Sequence, residues 1–286
     1  MLLFERFERF GIQRIRFFDA YEGYIERAKL SRVERSHTMS SILNRIAHRR
    51  WLLPSGPWIM AQSWHDLLFA HWKVDAAVLR PHIPTELEID TFEGQAWLGV
   101  VPFRMSGVRL RWTPALPWLS AFPELNVRTY VSAQGRPGVW FFSLDAANPV
   151  AVAAARLSFH LPYFRARMTC RDVDGWIQYR SERTHSGAPG AAFEARYRAA
   201  GQFFEAQRGT LAHFLTERYC LYSAASGARV YRGEIHHPPW LLQPGEAKIA
   251  RNSMAEAAGL TIPGELPLLY FAQRQDMVAW APRRIV

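Results

Sequence analysis

PELNVRTYVSAQGRPGVWFFSLD, residues 123–145, decides how the rest of the chain is read. Two apolar-rich runs flank a turn marked by Gln134-Gly135 and Pro137-Gly138, so the stretch predicts two strands joined tightly. Side chains alternate across a strand. In the first run Leu125, Val127, Thr129 and Val131 therefore share one face, and Glu124, Asn126, Arg128 and Tyr130 share the other. The second run, VWFFSL at 139–144, is apolar on both faces and predicts a strand covered on both sides, with Trp140, Phe142 and Leu144 fully buried. A polar row beside such a strand is a candidate lining for an internal pocket. An ordinary solvated sheet face fits the same periodicity, and the pattern alone leaves both open.

Outward from this hairpin, the chain predicts more strands than helices. Residues 58–73 read as one long strand or a bulged pair, followed by a short helix capped by Asp75. Residues 86–105 read as a hairpin turned at Glu93-Gly94. Asp145 is placed to cap the Ala-rich stretch that follows it. Two strands at 163–171 and 176–182 flank Asp172-Val173-Asp174-Gly175, a strong hairpin signal. Residues 193–198 alternate again, 210–217 read as a helix, 219–224 and 228–235 as a strand pair, and 254–258 as a short helix. The last strand covers 268–280. The result is an α+β domain of mostly antiparallel sheet with a few short helices.

Residues 1–38 interrupt their apolar positions with charge, and Met39 offers an alternative start. The expected division is an N-terminal extension, residues 1–48, outside the fold, and a single domain, 49–286. The N-terminal stretch has no continuous apolar run, which argues against a secretion signal or a membrane span. Isolated Cys170 and Cys220 exclude a disulfide framework or a CxxC zinc site, and a cytoplasmic location is expected. The formal net charge of +10 invites a nucleic-acid reading, yet 32 of the 35 basic residues are Arg, spread singly, with no recognised binding motif.

No nucleotide, metalloprotease or serine-hydrolase motif is present. Glu234, His236 and His237 are the densest metal-capable group but lack a third partner in spacing, so no metal or cofactor is expected. His65 and His71 could shuttle protons or serve as hydrogen-bonded core histidines. Glu124 and Arg128, on one face, could form a pocket ion pair. Alternatively, Arg128 could grip a ligand carboxylate while Glu124 acts as an acid or base.

The runs WHDLLFAHWKVD at 64–75, LRPHIPTELEIDTFEGQAWLGVVPFRM at 79–105, SAFPELNVRTYV at 120–131 and GVWFFSLDA at 138–146 together resemble the YqjF-like family of uncharacterised bacterial proteins. The resemblance spans about residues 58–286. That family is similar, more distantly, to the acetoacetate decarboxylase-like superfamily, which implies an antiparallel sheet closing into a barrel-like ligand cavity. It implies that Glu124 stands where those enzymes place an active-site glutamate. It also implies that Leu161-Pro162-Tyr163-Phe164-Arg165 matches their Pro-Lys-Lys segment, and that Lys73 stands against a pocket arginine. Schiff-base decarboxylation needs an amine of depressed pKa, and Tyr163 and Phe164 occupy those places here.

The expectation is a cavity for a small anionic organic acid, with Glu124 and Tyr163 as catalytic candidates. Arg128, Asn126, Tyr130, Arg165 and Lys73 are the ligand-binding candidates. Three functions remain open: an enzyme acting on an oxo acid or related carboxylate without an imine, a non-catalytic ligand-binding or regulatory module, and a basic nucleic-acid-associated protein. A homo-oligomer is compatible with each.

Overall fold

The computed structural model describes residues 42–116, 119–225 and 229–286. The extension read over 1–38 lies outside the described residues, as does the turn at Ser226-Gly227. Ile46–Val286 forms one compact unit, and Met1–Arg45 is assigned to another. Within the first of these, Arg49 is already buried, with Nη1 donating to the Ile235 carbonyl at 2.8 Å.

The chain enters the sheet as β1 (Met60–Val74), then passes through helix α1 (Ala76–Leu79) and the short β2 (Glu88–Ile89). Strands β3 (Ala96–Leu110), β4 (Phe122–Ala133) and β5 (Arg136–Ala146) follow, and helix α2 (Pro149–Phe159) leads into β6 (Tyr163–Val173), β7 (Trp176–Arg183) and β8 (Ala192–Ala199). After β9 (Phe204–Glu205) and helix α3 (Leu211–Thr216) come β10 (Cys220–Ala225), β11 (Arg229–His236), β12 (Leu241–Asn252), β13 (Leu268–Ala279) and β14 (Arg283–Arg284). The pairings close on themselves. β5 pairs with β4, β4 with β3, β3 with β1, β1 with β13, β13 with β11, β11 with β10, and β10 with β5 again. Parallel pairing occurs at β10 with β5 and β5 with β6, and the other ladders are antiparallel. The class expected from the sequence, α+β with mostly antiparallel sheet, is the class observed. Among the described residues no helix is long and apolar enough to cross a membrane.

Local chemistry explains most element ends. Asp75 caps α1 by accepting from the Ala77 amide at 2.8 Å. The β6–β7 hairpin turns through Asp174 and Gly175 at φ 52° and 76°, the left-handed pair a two-residue turn requires. Three expectations fail. Asp145 does not cap α2: Asn148 does, accepting from Val150 and Ala151. The turn at Glu93-Gly94 forms, but β2 pairs with β4, Glu88 opposite Ser132, rather than with β3. β12 was not anticipated, because Pro244, Gly245 and scattered charges hide its alternation, and its partners β8 and β13 hold it in place.

Two bulges shape the interior. Opposite β3, β1 spends five steps between His65 and Ala70 where β3 spends four, and Asp66 sits at φ 54°. Opposite β4, β5 advances from Ser143 to Phe141 while β4 advances only from Val127 to Arg128, leaving Phe142 as the extra residue. Each bulge changes which residues face inward. Trp64 and Leu67 of β1 both reach the interior, as do Phe141 and Leu144 of β5. The expectation that Trp140 and Phe142 are fully buried is therefore corrected. Both are half-buried, on the outer side of β5 beside His82 and Phe164.

Candidate functional site

A cavity of about 560 Å³ is lined from all seven strands of the closed circuit, with α2 alongside. That volume is typical of small-molecule sites. Its walls are mostly apolar, including Val101, Phe103, Met105, Phe122, Leu144 and Trp240. The polar face of β4 supplies Glu124, Asn126 and Arg128. Of the four-residue polar row read from the sequence, three line the cavity. The fourth, Tyr130, is fully buried behind it.

Glu124 is buried at 3% exposure and accepts a hydrogen bond from the Tyr163 hydroxyl at 2.8 Å. Tyr163 opens β6, which runs parallel to β5 with Tyr163 opposite Leu144. Desolvation pushes the Glu124 pKa up to about 8. The Tyr163 bond pulls it back, and the nearby Asp145 raises it further. Glu124 is thus a neutral carboxylic acid at neutral pH, able to donate a proton. Burial and the Glu124 carboxyl hold the Tyr163 hydroxyl well above its ordinary range, so it stays a donor. Asp145 is spent on Arg183: Nε reaches Oδ2 at 2.9 Å and Nη2 reaches Oδ1 at 2.6 Å, both side chains nearly inaccessible.

Arg128 does not pair with Glu124. Among the described residues it makes no ion pair at all. Its Nη2 donates to the Tyr130 hydroxyl at 3.4 Å and to the Leu215 carbonyl at 3.3 Å, while its Nε is buried without a partner. The guanidinium lies over Phe69, 5.2 Å from the ring centre. The Asn126 Oδ1 is likewise buried and unpartnered. Tyr130 donates to the Leu215 carbonyl at 2.7 Å and lies 2.6 Å from His71 Nε2. With that hydroxyl proton on Leu215, His71 Nε2 is the donor to Tyr130 and its buried Nδ1 has no partner. Desolvation and the Arg128 charge keep His71 neutral, its pKa well below the ordinary value. Gly99, opposite Arg128 in β3, makes this packing possible. A Cβ there would sit 3.0 Å from His71 Nε2 and 3.3 Å from Arg128 Cγ.

The remaining candidates lie elsewhere. Lys73 and Arg165 are exposed, and neither lines the cavity. Lys73 shares the β1 face of Phe69 and His71 but lies beyond the cavity, opposite Trp97, while Arg165 follows Tyr163 by two residues on a strand that has left the cavity. His65 and His71 take different partners: His65 lies 2.7 Å from the Ser106 hydroxyl. Glu234 is spent on Arg49, Arg136 and Arg232 at 3.5, 2.5 and 3.2 Å. His237 faces two backbone carbonyls, and burial lowers its pKa to about 4. Among the described residues, no three His, Cys, Asp or Glu gather as metal ligands. Sequence reasoning missed the Phe69 platform and the Gly99 gap. The only signal for either was a small residue in an otherwise large-residue strand.

Residues 61–276 match the model of the DUF2071 family, described as an uncharacterized conserved protein. The uncharacterized protein YqjF of Bacillus subtilis (strain 168) is 47% identical over 232 residues, covering 81% of this chain and 95% of that protein. Solved structures with the same fold are far more distant in sequence. The acetoacetate decarboxylase from Legionella pneumophila superposes with a TM-score of 0.56 at 11% identity, covering 86% of this chain and 95% of that one. The enduracididine biosynthesis enzyme MppR, complexed with pyruvate, gives 0.55 at 12% identity, covering 83% and 93%. At such identities these neighbours speak for the fold alone. The chain belongs to the YqjF-like DUF2071 family and has the acetoacetate decarboxylase-like fold.

Proposed function

We propose that the cavity binds an organic acid anion with its carboxylate on Arg128, and that Glu124 acts on the bound acid as a proton donor without any imine. The observation that carries this reading is the Arg128 guanidinium, set in a mostly apolar wall with no carboxylate partner among the described residues and a buried, unbonded Nε. An unpaired charge among apolar walls is costly, and an incoming carboxylate relieves that cost through a two-donor fork. The unpartnered Asn126 amide lies between Arg128 and Glu124 on the same face and offers a second polar contact.

For an oxo acid, neutral Glu124 donates a hydrogen bond to the carbonyl oxygen and polarises it, with its proton available when negative charge develops there. Tyr163 holds the carboxyl in place by donating its one hydroxyl proton to it. An imine route finds no support, since no lysine lines the cavity among the described residues and Lys73 and Lys248 are exposed. Ten arginines are in ion pairs with carboxylates among the described residues, which weakens the nucleic-acid reading.

Thermal-shift measurements with carboxylates and their uncharged amides test the anion site. The parent should be stabilised by the acids and not by the amides. Arg128→Ala should fold and lose the response, and Arg128→Lys should restore only part of it, because an ammonium lacks the planar fork. Equal responses in the parent and Arg128→Ala would overturn the assignment.

A further inference from the structure

We infer that the acid this cavity accepts is amphipathic, a monocarboxylate carrying an extended apolar tail rather than a compact oxo acid. The inference rests on the reading of Arg128 as the carboxylate site and goes beyond it. Along β4, the lining residues run from Phe122 through Glu124 and Asn126 to Arg128. Six strand steps separate the ends, roughly 20 Å at the usual rise. The charge lies at the end away from the exposed apolar lining, with Arg128 itself half-buried. Val101, opposite Asn126, lines the wall there, and Gly99 is opposite Arg128 itself.

The outer end is different in kind. There the lining is Leu110, Leu116 and Val150, which are exposed at 61%, 44% and 57%. Between the two ends the wall is Phe103, Met105, Phe122 and Met277, all buried. Past Glu124 toward the opening, β4 and the facing part of β3 put no charged residue in the lining until Arg109. A compact acid held on Arg128 would leave this length of apolar wall in contact with water. A tail continuing outward would cover it, and each added methylene would be removed from solvent. Met105 and Met277 suit such a tail, because thioether side chains adapt to chains of differing shape. The polar contacts near the head, Asn126 and the Glu124–Tyr163 pair, then fall beside the carbons closest to the carboxylate.

Isothermal titration of the full chain with straight-chain monocarboxylates, from acetate to dodecanoate below micelle-forming concentrations, tests this. Affinity should rise about three- to fourfold per added methylene, the increment expected for full burial, and level off once the tail reaches the opening, with one site per chain. Arg128→Ala should weaken all the acids by a similar factor while leaving the dependence on length. Ala155→Trp, on α2 at the lining, should cut the length at which the series levels off and spare acetate and butanoate. If pyruvate and acetate bind as tightly as decanoate and still need Arg128, the apolar tail is refuted and the carboxylate site stands. If decanol or decylamine binds as well as decanoate, the carboxylate site is refuted, and with it the amphipathic acid. If no acid of any length binds, both fall.

Discussion

Replacing Glu124 by Gln isolates the protonation of the cavity carboxyl through stability alone. In the folded chain its pKa is pushed up to about 8, against 4.5 for an ordinary glutamate. Between those pH values the folded protein keeps a proton that the unfolded chain releases. The stability is present in full below about pH 4.5, falls as pH rises, and stops falling above about pH 8. The slope is about 1.4 kcal/mol per pH unit, and the accumulated loss is about 5 kcal/mol. A glutamine has nearly the same shape, accepts the Tyr163 hydrogen bond through its amide oxygen, and does not ionise. Asp145, Glu217 and His237 are also shifted by burial, but they titrate alike in both proteins and cancel in the difference. Urea unfolding of both proteins from about pH 5 to about pH 9 reads the effect. Glu124→Gln should match the parent near pH 5 and exceed it by about 3–4 kcal/mol near pH 8. Tyr163→Phe removes the donor that favours the ionised carboxylate, so its decline should continue to higher pH than the parent's. Parallel curves for parent and Glu124→Gln would refute the neutral carboxyl and its role as a proton donor.

Gly99→Ala should displace His71 or the Arg128 stem. The expected result is a loss of stability of about 1–3 kcal/mol by chemical denaturation together with weakened carboxylate response, and an unchanged response would show that the gap is not needed. Breaking the buried Asp145–Arg183 pair with Arg183→Ala should cost about 3–5 kcal/mol, because Asp145 would be left charged and unpaired. A cost below about 1 kcal/mol would mean that water reaches Asp145. Borohydride with acetoacetate or pyruvate should leave no reduced adduct by intact-mass measurement, and an adduct on Lys73 or Lys248 would restore an imine route.

The polar face of β4 was legible because period-two alternation is local, and Glu124, Asn126 and Arg128 do share the cavity wall. What faces them was not legible. Reading β5 with strict alternation puts Trp140, Phe142 and Leu144 on one side, whereas the extra residue at Phe142 moves Val139, Phe141 and Leu144 to the cavity. A bulge is fixed by the partner strand's register, and a single strand's sequence does not contain it. Of the two partners left open for Arg128, the Glu124 pair does not form. Glu124 shares its strand face, but the Tyr163 hydroxyl arrives from β6, 39 residues on, and bonds the Glu124 carboxyl. Lys73 failed on position along the strand, since it shares the face of Phe69 and His71 but lies beyond the cavity, opposite Trp97. Asp145 resembled a cap in its local sequence, and only the fold brings Arg183 to it.

The path of neighbouring strands begins at β14 and ends at β2, each two residues long. A sheet of this size usually exposes long rows of unpaired amides and carbonyls that can template another chain. Here those rows are nearly absent at the ends, and one end is Arg283-Arg284, where like charges would meet if two copies approached edge to edge. Extension of the sheet at these two ends is therefore disfavoured on both hydrogen-bonding and charge grounds. The longer one-sided strip is on β6, where residues 166–173 pair with β7 alone, and a second copy that extended the sheet would have to add there.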